Sequence, residues 1–338
     1  MGARCARRNE RRRAVPRREL RPFGAAQRRQ PQRWESYYRL SAMTPSRSQF
    51  VMLRGMRHHA LTWGDEEAAK LFLLHGWMDV GASFQFLVDA LTRDWFVVAP
   101  DLRGFGRSEW QPQGYWFYDY IADLEALVDH YAANEAVNLL GHSLGGNIVM
   151  QYAGVRPQRV RRVVSLEGFG IPAESAEVAP AKIAKWLDAL HAMPEFKPYA
   201  NLAAVADRLQ KNNPRLKRGQ AEFLAMHWAE NTADGARLVS DSRHKLPFPI
   251  VYRMEEIVSI WRNIEAPTLW VAAADTNILR WLASGTDGDR DGDGFDIVRR
   301  RLANIRNGRL ELVADAGHML HHDQPEAVAR LIEPFFAA

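Results

Sequence analysis

Ser143 stands in the run Gly141-His142-Ser143-Leu144-Gly145. An apolar stretch, Val137 to Leu140, precedes it, and Ile148, Val149, Tyr152 and Val155 follow at helical spacing. This reads as strand, tight turn and helix with a hydroxyl at the tip, a setting that suits a nucleophile. Side chains at 141 and 145 would collide with the flanking strand and helix, so glycine at both positions lets the turn tighten. The helix that starts just after Ser143 aims backbone N–H groups and its positive end at the same point, which favours a developing oxyanion. A neutral serine is a weak nucleophile and needs a base, with a third group to orient that base. Asp275, in Ala273-Ala-Asp-Thr-Asn277, and His318, in Asp315-Ala-Gly-His-Met319, each follow an apolar run much later in the chain. Glu167, in Ser165-Leu-Glu-Gly-Phe169, ends another such run and is the rival acid.

The elements that have to carry these residues can be read from the hydrophobic pattern. Strands are expected at 49–54 and 57–63, with a turn at Gly55, and then at 71–74, 95–99, 137–140 and 160–166. Phe84, Leu87, Val88 and Leu91 mark one helix, and Ile121, Leu124, Leu127, Val128 and Tyr131 mark another. The short strands show no polar alternation, which argues for burial on both faces in a parallel sheet. Ligands of such sheets bind beyond the carboxyl ends of the strands. His75-Gly76, Asp101, Ser143 and Glu167 all fall at those ends. Residues 171–265 break the rhythm with helical patterns at 181–190, 202–209, 220–230 and 254–261, as an inserted helical cap would. The alternation resumes with a strand at 267–272, a helix at 295–305, a strand at 310–313 and a helix at 325–336. The expected organisation is therefore a core formed by 43–170 and 266–338, a cap at 171–265, and an Arg-rich extension at 1–42.

Five stretches, LLHGW (73–77), PDLRGFGRS (100–108), GHSLGG (141–146), PTLWVAAAD (267–275) and AGHMLHHDQPEAV (316–328), resemble those of the α/β-hydrolase superfamily, in the same order. The resemblance extends over about residues 49–338, and the HGWMD stretch is similar to the serine hydrolase-like branch. It implies a mostly parallel, eight-stranded sheet flanked by helices, with a helical cap. It also implies a Ser143–Asp275–His318 triad, with Glu167 as the alternative acid because some relatives place the acid there. His318 would take and return the proton, and the carboxylate would hold the imidazole in the right tautomer. Leu144, directly after the nucleophile, is expected to give one oxyanion-hole N–H, and the resemblance assigns the second to Trp77. His321 and His322 read as satisfied loop residues, and Arg103, Gly104 and Gly106 as structural. A serine at position 143 argues against haloalkane dehalogenases and epoxide hydrolases, which resemble this fold but place Asp there.

The expected activity is hydrolysis of a small, partly apolar carboxylic ester through an acyl-enzyme. Carbon–carbon bond hydrolysis, lactone opening and cofactor-free perhydrolysis would use the same triad. A catalytically silent small-molecule-binding protein is the alternative of another class. The aromatics Trp186, Phe223, Trp228, Tyr252 and Trp261 would either line the substrate pocket or fill the core of the cap. No cofactor and no metal are expected. An acidic insertion, Thr286-Asp-Gly-Asp-Arg-Asp-Gly-Asp-Gly-Phe295, resembles a calcium loop. Its twelfth position is Arg300 counted from Asp289, or Val298 counted from Asp287, so the closing Glu is missing and a solvated loop is expected.

The net charge of +5 over 338 residues conceals an asymmetry. Residues 1–35 hold twelve Arg and three Glu, a net +9, which leaves −4 for the remainder. Nucleic acid is therefore not an expected partner of the folded body. Residues 1–42 lack the apolar segment of a secretory signal. They read as a disordered tail, or as sequence upstream of a start at Met43, more than as an organelle transit peptide. The single cysteine, Cys5, leaves no internal disulfide, and no apolar run approaches the ~20 residues of a membrane span. The cytoplasm is the expected compartment.

Overall fold

The apolar runs ending at Leu74, Pro100, His142, Leu166 and Ala273 lie side by side in a computed structural model that describes residues 43–288 and 294–338. In chain order the elements begin with β1 (Arg47–Leu53), β2 (Met56–Trp63), β3 (Ala69–Leu74), α1 (Gln85–Ala90), β4 (Trp95–Pro100) and α2 (Phe117–Ala132). Next come β5 (Val137–His142), α3 (Leu144–Val155), β6 (Val160–Leu166), α4 (Ala179–His191), α5 (Leu202–Asn212) and α6 (Arg218–Trp228). A short hairpin follows, β7 (Ala229–Thr232) and β8 (Gly235–Leu238), then α7 (Met254–Arg262), β9 (Thr268–Ala273) and α8 (Ile278–Leu282). The chain closes with α9 (Phe295–Leu302), β10 (Gly308–Val313), α10 (Leu320–Asp323) and α11 (Pro325–Ala337).

Eight strands form one sheet in the order β1-β2-β4-β3-β5-β6-β9-β10. Only the β1–β2 and β2–β4 pairings are antiparallel. This is the α/β-hydrolase arrangement that the motifs implied. Successive residues of each central strand feed opposite faces. Phe72 and Leu139 join the core beneath α2, α3, α7 and α9, whereas Leu71, Leu73 and Leu140 join the core beneath α1 and α11. Burial of each such side chain contributes about 1.5–3 kcal/mol. The register aligns the strand ends: Leu74 lies opposite Gly141, His142 opposite Leu166, and Leu166 opposite Val271. The residues that follow these strands therefore emerge at one rim.

The inserted segment differs from its sequence reading in two ways. The helix expected through Glu230 stops at Trp228, and Ala229–Thr232 pairs with Gly235–Leu238 as a hairpin. The turn at Asp234-Gly235 makes this possible, Gly235 having φ +118° and Ala236 exchanging backbone hydrogen bonds with Tyr199. The last helix, α7, packs as part of the sheet's core, with Ile257 and Trp261 buried beside Trp270. Trp261 is thus core, and Phe223 and Trp228 also pack inward, while Trp186 and Tyr252 face a cavity.

Among the described residues no helix is long and apolar enough to cross a membrane. Residues 1–42, with Cys5, lie outside the described residues, and so does the acidic loop from Asp289 to Asp293 on which the calcium reading turned. Asp287, at the start of that loop, pairs with the buried Arg301, which also donates to the carbonyls of Phe169 and Ile171.

Close packing of α3 on α7 makes a sharp test of this core. A Cβ on Gly154 would come within 2.2 Å of the Ile260 carbonyl oxygen. Gly154→Ala should therefore destabilise the protein by about 1–3 kcal/mol, as overpacking does, measured by chemical denaturation at an unchanged m-value.

Candidate active site

Three backbone segments meet around Ser143. The serine has φ +52° and ψ −111°, outside the favourable regions for an L-residue. A Cβ on Gly141 would lie 2.1 Å from the Gly145 carbonyl oxygen, and one on Gly145 would lie 2.0 Å from that of Leu74. Glycine at both positions is what lets α3 start directly above β3 and β5. The Ser143 N–H donates to the Leu166 carbonyl at 2.8 Å, and the Ser143 carbonyl accepts from Asn147 at 3.0 Å, so the turn is tied to both β6 and α3.

His318 follows β10 in a turn that Asp323 braces by accepting from the Gly317 N–H at 2.9 Å and from Asn213 at 2.7 Å. Its Nε2 lies 3.1 Å from Ser143 Oγ, and its Nδ1 lies 3.2 Å from Glu167 Oε2. Glu167 is fully buried at the end of β6, with φ +56°. Its Oε1 accepts from the Ala273 N–H at 2.8 Å, and its Oε2 accepts from the Thr276 hydroxyl. The carboxylate is held by the backbone at the end of β9 and oriented on the imidazole.

Asp275 does not come to this cluster. Its side chain is 55% exposed and pairs with Arg215 Nη2 at 2.6 Å, while its own N–H donates to the Ala316 carbonyl. The expected approach of Asp275 to His318 is therefore corrected: the carboxylate at the imidazole is that of Glu167, the alternative acid. The strand ends of β6 and β9 are neighbours. The longer glutamate spans from β6 to the histidine, whereas the aspartate after β9 turns outward to a cation.

Trp77 and Leu144 both line a cavity of about 300 Å³ beside the serine. Leu144 is the first residue of α3, where a backbone N–H has no intrahelical acceptor. Gly76 packs against the serine turn, since a Cβ there would sit 2.9 Å from His142 Nδ1 and 3.3 Å from Ser143 Cβ. Trp77 is half exposed, and its indole donates to the His244 carbonyl at 3.3 Å. The rest of the wall is mixed, with the aromatic rings of Trp116, Trp186, Phe248 and Tyr252 beside aliphatic residues and a few polar ones such as Asn147 and Arg253.

His244 belongs to the inserted segment and is sandwiched between Phe105 and Tyr115, both rings 3.7 Å away and nearly parallel. Burial pulls it down to about 3, against the attraction of Asp241. Tyr115 donates to Asp241 at 2.8 Å, and Tyr120 lies 3.3 Å from His244 Nδ1. These contacts clamp the insertion to the core.

The other strand-end residues have structural roles. Asp101 accepts from the Gly81 and Arg107 N–H groups and contacts His59 Nδ1 at 2.7 Å; although burial alone would raise it, the His59 contact holds it below the usual carboxylate range. Arg103 pairs with Asp123 at 2.5 Å, so its partner is a local carboxylate, and His75 bridges the Gly76 carbonyl and the Leu102 N–H. His321 and His322 are not satisfied loop residues, as the sequence suggested. Both are buried, and both ring nitrogens of His321 and the Nε2 of His322 have no hydrogen-bond partner among the described residues. His142, next to the serine, is likewise buried; its Nε2 donates to the His318 carbonyl at 2.8 Å. Nothing in their spacing announced this, because it depends on α10 packing against α1 and α11.

The sequence profile of a family described as alpha/beta hydrolase fold matches residues 71–325, three quarters of the chain. The chain is 25% identical over 288 residues to a serine hydrolase-like protein of Danio rerio, covering 81% of this chain and 83% of that one. It is 35% identical over 243 residues to the 3-hydroxybutyrate-oligomer hydrolase of Cupriavidus necator, covering 67% and 79%. Its fold is similar to the crystal structure of a hypothetical protein from Pseudomonas aeruginosa PAO1, with a TM-score of 0.75 at 26% identity over 86% of this chain and 99% of that one.

Two measurements test the geometry. Glu167→Gln should slow fluorophosphonate labelling of Ser143 and turnover by orders of magnitude, on the scale of the ~10⁴ lost when a triad acid is neutralised. Asp275→Asn should label at close to the wild-type rate. The second measurement concerns the His244 clamp. Below about pH 6.5, the ordinary histidine value, the unfolded chain binds a proton that the folded His244 refuses until about pH 3. Stability should therefore fall as the pH drops through that window, read as a declining thermal midpoint whose slope is reduced, not abolished, in His244→Phe, because other buried histidines such as His227 are also pulled down.

Proposed function

The chain belongs to the alpha/beta hydrolase family, and on that premise we propose that it is a serine hydrolase that cleaves a carboxylic ester of an apolar, aromatic-compatible acyl or alcohol group through an acyl-enzyme. The observation that carries the reading is the relay from Ser143 Oγ to His318 at 3.1 Å and from His318 to Glu167 at 3.2 Å, next to a cavity whose wall includes Leu144 and Trp77. His318 takes the serine proton as Oγ attacks the acyl carbon. The resulting tetrahedral oxyanion is received by the backbone N–H groups of Leu144 and Trp77. Each such donor is worth about 10²–10³ in turnover. Glu167 keeps Nδ1 protonated and stabilises the imidazolium. Collapse of the intermediate expels the alcohol with the proton from His318, and water then attacks the acyl-enzyme by the same route in reverse. The chemistry draws on no cofactor.

The cavity supports an apolar substrate, since Trp116, Trp186, Phe248 and Tyr252 form much of its wall. The names of the relatives, a serine hydrolase-like protein and a hydrolase of 3-hydroxybutyrate oligomers, support acyl-bond hydrolysis as the reaction class.

The test is a series of p-nitrophenyl esters of graded chain length. Activity should rise with apolar acyl size until the cavity is filled, and Ser143→Ala should lose both turnover and the initial burst of p-nitrophenol. Trp186→Ala should raise KM roughly tenfold or more, because alanine buries far less apolar surface against the substrate, with kcat little changed because Trp186 is remote from the reacting atoms. Absence of ester cleavage across the series, with Ser143 unreactive to a fluorophosphonate, would overturn the reading.

A further inference from the structure

Beside the serine turn, and outside the lining of the aromatic cavity, three side chains converge that the proposed hydrolysis does not use. Asp79 follows β3, His142 precedes the nucleophile and His321 lies on α10, and all three are buried. One ligand atom from each lies within 4.8 Å of the other two. Among the described residues, Asp79 Oδ2, His142 Nδ1 and both ring nitrogens of His321 have no hydrogen-bond partner. Leaving a polar atom buried and unpartnered costs about 1–3 kcal/mol, and here several such atoms face one another. This arrangement asks for an occupant that accepts lone pairs.

We propose that Asp79, His142 and His321 form a binding site for a divalent transition metal such as Zn²⁺, and that metal bound there inhibits hydrolysis. Two imidazoles and one carboxylate suit Zn²⁺ and its first-row neighbours, whereas Ca²⁺ and Mg²⁺ favour oxygen ligands. Three protein ligands with an open fourth position is a common zinc geometry. The side chains would close by an ångström or so to bring each donor to the ~2.0–2.2 Å of a zinc bond.

The surroundings have the form of a supporting shell. A metal-bound histidine characteristically donates its other ring N–H to a carbonyl or carboxylate. His142 does so, donating Nε2–H to the His318 carbonyl at 2.8 Å, which leaves Nδ1 as the lone-pair atom. The ligating carboxylate should also be held, and Asp79 Oδ1 accepts from the Val80 N–H at 2.9 Å, the Trp228 indole at 3.0 Å and the Ser83 hydroxyl. That leaves Oδ2 to face the cluster.

Inhibition follows from position. The His142 and His318 rings are 4.9 Å apart between centroids. A cation on His142 opposes the positive charge that His318 has to develop when it takes the serine proton. This consequence rests on the serine-hydrolase reading; metal binding itself does not.

The test uses the full chain, stripped with EDTA and then titrated with Zn²⁺ by calorimetry and with Co²⁺ by visible absorption. One metal per chain is expected, with the intense absorption of tetrahedral Co²⁺ and a raised thermal midpoint. His321→Phe and Asp79→Asn should each weaken binding by at least the 10–100-fold seen when a supporting residue is lost. Ester hydrolysis by the wild-type chain should fall about tenfold or more with stoichiometric Zn²⁺ and return with EDTA. Absence of stoichiometric uptake by the wild-type chain would overturn the site and leave a buried water as its occupant, as would Zn²⁺ affinity unchanged in both variants. Stoichiometric metal uptake by a chain that hydrolyses no ester would uphold the site and remove the hydrolase reading instead.

Discussion

The structure hangs on a main-chain crossing at which no side chain fits. Ser143 occupies a left-handed backbone region because β5 has to reverse into α3 within van der Waals contact of β3. Gly141 and Gly145 are where that contact is made, with the carbonyl of Leu74 against one of them. The serine hydroxyl is thus positioned by the separation of neighbouring backbones, which strand pairing sets to a fraction of an ångström. The strain of the turn, of order 1–3 kcal/mol, is offset by hydrogen bonds from Ser143 to β6 and into α3. It holds the hydroxyl clear of the sheet, where it can meet a substrate.

The same economy governs the third member of the relay. Glu167 also has positive φ, at the end of the strand next to the one that leads to Ser143. Its carboxylate is fastened by one N–H of β9 and by the Thr276 hydroxyl, so β9 supplies the anchorage while β6 supplies the charge. Asp275, only two residues beyond β9, is turned to Arg215 in the inserted segment. An exposed ion pair of that kind is worth little in stability, and the position is free of the geometric demands made on Glu167.

The inserted segment is fastened to the core at several polar and aromatic points. His244 is stacked between Phe105 and Tyr115, Trp77 donates to the His244 carbonyl, and Trp228 donates to Asp79. Gly104 permits the stack, since a Cβ there would meet both Tyr115 and His244 within 2.4 Å. The wall of the cavity and the serine turn are therefore parts of one packed unit. The Asp79–Trp228 contact also joins the insertion to the buried histidines behind the nucleophile.

The sequence alone determined what depends on local pattern. Unbroken apolar runs marked the central strands, and their ends marked the rim. The Gly-x-Ser-x-Gly spacing marked Ser143, and the turn after the last strand marked His318, which lies within hydrogen-bonding distance of the serine. Tertiary structure decided what depends on which way a side chain points after its strand ends. Which carboxylate meets His318 turned on the direction each takes after its strand, Glu167 towards the imidazole and Asp275 towards a cation from sixty residues away. The burial of His321 and His322 depended on α10 packing against α1 and α11. The hairpin at 229–238 depended on pairing with its own return strand and with Tyr199. Periodicity reports the face an element buries; it carries no information about register, reach or the partner a polar atom meets across the fold.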